Sequence, residues 1–415
     1  MTPRGPLIAS RSVWPVGQGG FASGTLHWPS GGGTPFRYVY DCGSNRPTLL
    51  RRRLREYAPA VVQVDLLLIS HLDADHANGI DGLCNLLSVD TVVLPYLDRA
   101  ACVWAVAAAM DNAPEPGWSL FELLTEPRRW ASRRGIRRLI FVQPADGDGG
   151  PTAESALGPQ FPPPTMDKVR WTVAGSSQVL LPPGPAEALQ LDRRSLLRVD
   201  LDSDVVWAFV PHVPPLDDAL MHEFLSEVTR RIPALAQVLP TANDAPGLPF
   251  TELEATLRDP AARKQLKAAY SLIDRDHNAV SLALFSGPLV RSSHLALWSE
   301  HAHGGHRIDD GCAGRLFTGD APVLAADHER SFFATYRDWI SRTYAVQLPH
   351  HGSVLSVSPR FFDELGSVHY FASVGRNKHG HPSPLVVDWA ESAGYYSRVD
   401  ERDESRLWDQ LRLVR

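Results

Sequence analysis

The segment His71-Leu72-Asp73-Ala74-Asp75-His76 places two imidazoles and two carboxylates within six residues. It follows the β-rich apolar run Val61–Ser70 and precedes Ala77–Leu87, which reads as a helix, so a sharp strand-to-helix turn is expected. On such a turn all four side chains can converge, and alternation sends His71, Asp73 and Asp75 to the same side. Imidazole and carboxylate together suit Zn²⁺, Mn²⁺ or Fe. Donors this dense exceed what one ion needs, so two divalent ions (Zn²⁺ or Mn²⁺) are expected. A pair about 3.5–4 Å apart clamps an in-line displacement at phosphorus or activates water for another hydrolysis. The competing reading is a polar turn in which Asp75 caps the helix and the histidines are incidental. Further donors downstream weigh against it.

Thr318-Gly319-Asp320 follows the strand-like Arg315–Thr318. Leu348-Pro349-His350-His351-Gly352-Ser353 follows Tyr344–Leu348, and the loop from Gly375 to His381 and Pro382 follows His369–Val374. Each repeats one arrangement, a strand ending in His or Asp on a glycine-containing loop. Strands that share a sheet would set these loops along one edge. Adjacent short strands split by glycine turns also open the chain, in residues 7–45.

With these residues in view, the chain resembles the metallo-β-lactamase fold. His71-x-Asp73-x-Asp75-His76 is similar to that family's HxHxDH signature, with Asp in place of the second His. The variant, flanked by Ser70 and Gly79, is typical of the metallo-β-lactamase domain of ComEC/Rec2-type competence proteins. Six other elements resemble that domain's in order: Val16-Gly17-Gln18-Gly19, Asp41-Cys42-Gly43, Asn278-x-x-Ser281, Thr318-Gly319-Asp320, Pro349-His350-His351-Gly352-Ser353 and Gly380-His381-Pro382. The resemblance covers residues 12–95 and 276–385. It implies an α/β protein, an αβ/βα four-layer sandwich with its metal site on one edge between two sheets, carrying a largely helical insertion.

The resemblance also implies roles. His71 and Asp73 belong to the first metal, Asp75 and His76 to the second, and Asp320 bridges them. His350 is the late histidine ligand, with His351 as the alternative. Asp41, Asn278 and Ser281 support the site. His277, four residues before Ser281, is either an added first-site ligand or a histidine bonded to backbone at the start of a strand. His381 is either a ligand or, the preferred role, a group that contacts phosphate and donates a proton to the leaving oxygen; with Asp75 it makes up the catalytic pair. Asp73 in place of histidine adds charge and a harder oxygen donor, which shifts preference toward Mn²⁺.

The expected organisation is residues 1–97 as the first half of the metallo-β-lactamase domain and 276–415 as the second. Residues 98–275 are an insertion, part helical (98–140 and 215–275) and part strands completing the second sheet; its helical parts are expected to form a lid over the site or a surface for a protein partner. The function expected is a dinuclear metal-dependent phosphodiesterase, a nuclease acting on DNA or RNA. The alternatives are a hydrolase of a small molecule (cyclic nucleotide, lactam, thioester), a partner-regulated effector, or a binding module with a degenerate site. The competence proteins' membrane channel has no counterpart here, so a stand-alone effector is expected, not a complete importer.

Composition narrows the classes. Hydrophobic residues make up 44% and charged residues 21%, enough for a full core and too apolar for a disordered chain. A net charge of −6 excludes a generally basic nucleic-acid coat, although a local basic face remains compatible. Four cysteines without a CxxC pair read as reduced thiols in a cytoplasmic protein. The N-terminus lacks an apolar signal-peptide core, and no run approaches the ~20 apolar residues of a membrane span. Arg51–Arg55 and Arg128–Arg138, the second interleaved with Trp130, read as solvated helix faces or as contacts to phosphate and base. The histidine-rich Glu300–His306 reads as an exposed loop. Gly17-Gln18-Gly19-Gly20 lacks the Lys-Ser/Thr of a phosphate loop, and no GxSxG is present.

Overall fold

A strand buried on both faces must lie between two packed layers. Phe36–Cys42 is buried at all seven positions and Val205–His212 at all eight. They belong to two different sheets of a computed structural model that describes residues 7–28, 34–96, 98–112, 118–158, 171–180, 186–201, 205–215, 217–237, 239, 251–273, 280–290, 296–301, 304–308, 312–377 and 379–414.

Among these residues the first sheet has 11 strands, in the order 304–308, 296–301, 407–414, 7–13, 21–27, 36–42, 63–68, 88–95, 138–142, 187–191, 177–179. The second has eight, in the order 395–399, 369–373, 343–347, 314–317, 283–290, 205–212, 196–200, 171–174. The period of two along each strand then sorts side chains between layers. Tyr38, Tyr40, Leu66 and Leu68 point inward to Phe209, Phe317 and Phe371 of the other sheet. Tyr38 meets Phe209 edge-on at 4.9 Å, and Tyr40 stacks on Phe317 at 4.8 Å. The alternate residues Val39, Leu67 and Val92 face helices outside the first sheet, among them Pro47–Tyr57, Ile80–Leu86 and Arg99–Asn112. Leu316, Val346 and Tyr370 face Ala326–Ile340, Pro359–Leu365 and Pro384–Ala393 outside the second. The result is a four-layer αβ/βα sandwich, the fold class expected from the sequence.

Between the sheets lies one buried ionic bridge. Arg11 donates through Nε and Nη2 to both oxygens of Asp409 at 2.7 and 2.8 Å, and Arg315 of the second sheet donates to Asp409 Oδ2 at 2.9 Å. Burial would raise the Asp409 pKa, but the two guanidiniums outweigh it and hold the carboxyl below its usual range.

Residues 98–275 contribute to both sheets: 138–142, 177–179 and 187–191 extend the first, and 171–174, 196–200 and 205–212 the second. The helices Asp218–Arg231 and Pro260–Ile273 continue the outer layer of the first sheet, where Trp104 packs edge-on against Phe224 at 4.8 Å and Tyr270 at 5.1 Å. Within the helical 215–275, the chain after Thr251 forms two helices, Thr251–Leu257 and Pro260–Ile273. Proline disfavours helix at the residue before it and suits the first helical position, so the break falls at Asp259-Pro260. The expected loop over 300–306 is corrected on the described backbone: Ala296–His301 and Gly304–Ile308 form a hairpin, because strand 407–414 offers its open edge to Ala296–His301. Among the described residues no helix is long and apolar enough to cross a membrane.

Trp104 is fully buried, so Trp104→Ala leaves a cavity that joins three helices. We expect a loss of about 3–5 kcal/mol in unfolding free energy, read as a lower urea midpoint with an unchanged slope. An unchanged midpoint would mean the outer helices are not part of the cooperative core.

Candidate metal centre

Strands 36–42, 63–68 and 88–95 run parallel in the first sheet, as do 314–317, 343–347 and 369–373 in the second. Their carboxyl ends therefore share an edge of the sandwich, the usual place for a site in such sheets. Asp41 lies at such an end, and His71 to His76, Asp320, His350, His351 and His381 follow these ends.

Asp41 organises the first-sheet side. Its carboxylate is fully buried; Oδ1 accepts from Ser70 N at 2.7 Å, and Oδ2 accepts from Ser70 Oγ at 2.8 Å and from His76 Nδ1 at 2.7 Å. Asp73 begins the short helix Ala74–Ala77, its carbonyl accepting from the amides of His76 and Ala77. That single turn lifts Asp75 and His76 toward the second sheet. Gly43 presses against it: a Cβ there would lie 2.4 Å from the Asp75 and His76 backbone, so only glycine fits. Leu72, between the two donors His71 and Asp73, lines a small apolar cavity with Cys102 and Leu124, so the helical insertion backs the donor loop.

From the second sheet, Asp320 is set by its amide, which donates to Ser281 Oγ at 3.0 Å. Gly319 has φ +54° and no room for a Cβ beside Ser281 and Ser70. His350 and His351 have φ of 47° and 56°, and with Asp41 (57°) they are the non-glycine residues of positive φ among those described. Strained backbone thus gathers at this edge, as it does at functional sites.

The tautomers follow from the partners. The Ser373 carbonyl only accepts, so His351 Nδ1, 2.7 Å away, carries a proton. The Asp41 carboxylate does the same for His76 Nδ1. Ser70 Oγ donates to Asp41 and so accepts from His71 Nδ1 at 3.0 Å. In its neutral form each imidazole therefore has its lone pair on Nε2, which is directed inward. These three buried Nε2 atoms have no hydrogen-bond partner. They face carboxylates instead: His76 Nε2 lies 3.3 Å from Asp320 Oδ1, His71 Nε2 3.7 Å from Asp320 Oδ2, and His351 Nε2 3.4 Å from Asp75 Oδ2.

The charges are strongly coupled. Burial would lower His76, but Asp320 and Asp41 outweigh it and hold it well above its ordinary pKa; burial is likewise outweighed at His351 by Asp320 and Asp75. Burial would raise Asp75 and Asp320, yet the facing histidines hold Asp75 down to about 2 and Asp320 well below the carboxylate range. Burial takes His71 down to about 4. Lone pairs on three oriented imidazoles, converging on ionised carboxylates, fit divalent cations. Three overlapping donor groups are able to hold one: His71, His76 and Asp320; Asp75, His76 and His351; His71, Asp73 and Asp75.

His350 Nε2 stands 3.8 Å from Asp320 Oδ2, and its side chain is 26% exposed, against 2% for His351. It lies at the rim, its ring 5.3 Å from that of His381. His381 is half-buried; burial, then His350 and His351, hold it down to about 4. His277 and Asn278 lie outside the described residues. Sequence reasoning passed over the roles of Ser70 and Ser373. Ser70 had a signal, its place beside His71; Ser373 acts through a backbone carbonyl, which no residue type announces.

Arginines of the two basic clusters are paired with carboxylates, several of them at the exposed surface. Trp130 is 1% exposed, Arg134 lies over its ring, and Arg133, Arg134, Arg137 and Arg138 pair with Glu122, Asp81, Asp90 and Glu187. A buried ring already covered by a guanidinium is closed to a base. Arg52 and Arg53 pair with Glu56 and Asp403.

No family model and no curated protein matches the sequence. Among solved structures the chain is similar to MEM-A1, a subclass B3 metallo-β-lactamase from a soil metagenome library, at 10% identity and TM-score 0.28, covering 92% of this chain and 89% of that one. It is similar at 10% identity and TM-score 0.26 to a B3 metallo-β-lactamase with an active-site glutamic acid, covering 92% and 84%. A variant metallo-β-lactamase from Cronobacter sakazakii matches at 16% identity and TM-score 0.19, covering 63% and 90%. Likeness at this level says nothing of substrate.

Asp41 touches none of the inward Nε2 atoms, yet it sets the His76 tautomer and the Ser70 loop. Asp41→Asn is expected to weaken Zn²⁺ and Mn²⁺ binding by about 10–100-fold, measured by competition against a chelating dye, with circular dichroism confirming the fold. Unchanged affinity would remove His76 from the ligand set.

Proposed function

We propose that this chain is a metal-dependent hydrolase that cleaves phosphodiesters, with DNA or RNA as substrate. The observation that carries the reading is the set of three buried, oriented imidazole Nε2 atoms converging on Asp75 and Asp320. Such a set is costly to bury unless a cation completes it. The overlap of the donor groups supports two ions in adjacent positions. The resemblance of His71-x-Asp73-x-Asp75-His76 and the later loops to competence-protein domains supports nucleic acid among phosphodiesters.

In this reading His71, Asp73 and Asp320 would hold one ion, and Asp75, His76, His351 and Asp320 the other. His351 takes the place first expected of His350, because its Nδ1 is anchored and its Nε2 is buried among the donors. Divalent ions there supply Lewis acidity toward a phosphoryl oxygen and make water a stronger nucleophile. The protein's own groups do the rest. Asp41 and the Ser373 carbonyl keep the imidazoles turned inward. Asp75 and Asp320 stay ionised and orient the attacking group as acceptors. His350 and His381 stand at the rim, where an incoming phosphate lies. Low proton affinity keeps His381 neutral in the free protein, and the charge of a bound phosphate works in the opposite direction, toward the protonated form that assists the leaving oxygen.

The test is cleavage of end-labelled single- and double-stranded DNA and RNA with added Mn²⁺ or Zn²⁺. Asp75→Ala and Asp320→Ala should each lower the rate by at least about 100-fold, near 2.7 kcal/mol of barrier, and chelator should abolish it. No cleavage by metal-loaded wild type would sink the nucleic-acid assignment and send the search to small phosphodiesters, lactams and thioesters. A second variant probes the ion itself. Asp73→His replaces a hard oxygen by nitrogen and should raise preference for Zn²⁺ over Mn²⁺ in a competition titration; an unaltered ratio would take Asp73 out of the first site.

A further inference from the structure

The metal donors occupy the carboxyl ends of the parallel strands in the second sheet. At the amino ends of the same strands lies a separate cavity of about 770 Å³, within the range of small-molecule sites. Arg315, Tyr344, His369, Tyr395, Ser397 and Arg406 contribute to its lining. In strand 369–373, Phe371 points into the inter-sheet core, so by alternation His369 points the same way. In strand 395–399, Val399 does so, and Ser397 and Tyr395 share its face. The cavity is thus the open mouth of the space between the sheets, at the end remote from the metal donors.

Its polar groups are unbalanced toward donors. Arg315 is 1% exposed, and one of its three nitrogens, Nη2, is used by Asp409; Nε and Nη1 are buried with no hydrogen-bond partner. Both oxygens of Asp409 are already taken by Arg11 and Arg315. Arg406 donates to Ser12 Oγ through Nη2, while its buried Nε has no partner. Glu404 also lines the cavity, but it is exposed at the rim. His369 Nε2 and Ser397 Oγ are 2.8 Å apart, adding a polar pair to the wall. Tyr344 lies in the wall with its ring 6.2 Å from that of His369, and Tyr395 stands at the mouth with 82% of its surface exposed. Buried guanidinium N–H groups without acceptors call for an anion, and phosphate suits the planar fork of arginine. Exposed and half-exposed tyrosine rings beside it suit a flat ring.

We propose that this cavity is a second ligand site, which binds a mononucleotide: its phosphate on Arg315 and Arg406, its base against Tyr344 and Tyr395. The site is independent of the metal centre and of the hydrolase reading, since none of its residues is a metal donor.

The experiment is isothermal titration of the full chain in chelator-containing buffer with AMP, UMP, ribose 5-phosphate and inorganic phosphate. Chelator keeps the metal centre from contributing ion-dependent phosphate binding. AMP or UMP should bind, and more tightly than ribose 5-phosphate or phosphate. Ser397→Trp, which fills the cavity, and Tyr395→Ala, on an exposed side chain, should each weaken the nucleotide by about tenfold or more. Arg315→Met should abolish binding, with thermal melts confirming folding; should that variant fail to fold, the other two still decide. Absence of nucleotide binding overturns the proposal, as does binding that Ser397→Trp and Tyr395→Ala leave unchanged. Ribose 5-phosphate binding as tightly as AMP overturns the assignment of the ring.

Discussion

The carboxylate of Asp41 accepts three hydrogen bonds at zero exposure, from the amide and hydroxyl of Ser70 and from His76 Nδ1. The first-sheet half of the candidate metal centre depends on that interaction. It joins the end of strand 36–42 to the end of strand 63–68, holds the Ser70 hydroxyl so that it accepts from His71, and turns His76 so that its other nitrogen faces the second sheet. A buried charge of this kind is tolerable only because every hydrogen bond it accepts is short and fixed. Its backbone sits at positive φ, a conformation held by the packing around it.

The second sheet answers with a matching arrangement. Ser281 sets the Asp320 backbone, the Ser373 carbonyl sets His351, and Gly319 allows the two loops to approach. Neither half is a site alone. The αβ/βα sandwich brings two sets of parallel strands to one edge, so donors more than 240 residues apart in sequence fall within 4 Å of one another. The same architecture leaves the opposite end of the second sheet open, bordered by the Arg11–Asp409–Arg315 bridge. One sandwich thus presents two chemically different ends, acidic and imidazole-rich at the carboxyl ends of the strands, basic and aromatic at the amino ends.

The helical insertion has a structural role that can be named. Its helices cover the outer face of the first sheet through Trp104, Phe224 and Tyr270, and Cys102 and Leu124 reach the donor loop at Leu72. The arginines that interleave with Trp130 belong to the same cover and are paired with carboxylates of neighbouring elements. Charge runs seen in a sequence carry no information about such partners, because the partners lie 11 to 53 residues away.

The dense donor turn was legible in the sequence by itself, and the sandwich followed from it as what the family resemblance implies. Residue type and strand-end position are local properties, and His71 to His76, Asp320 and the paired histidines are legible from them. The reading of the sequence put His350 ahead of His351, although the two are adjacent and chemically identical. The tertiary structure sets them in different places: the Ser373 carbonyl accepts from His351 Nδ1, so the His351 Nε2 is buried among the donors while His350 stands at the rim. It likewise decided that Ala296–His301 and Gly304–Ile308 pair as strands, because an open strand edge is a property of the assembled sheet. The basic cavity was invisible in the sequence for the same reason. Arg315, His369, Ser397 and Arg406 belong to separate segments, and only the stacking of two sheets turns them into one wall.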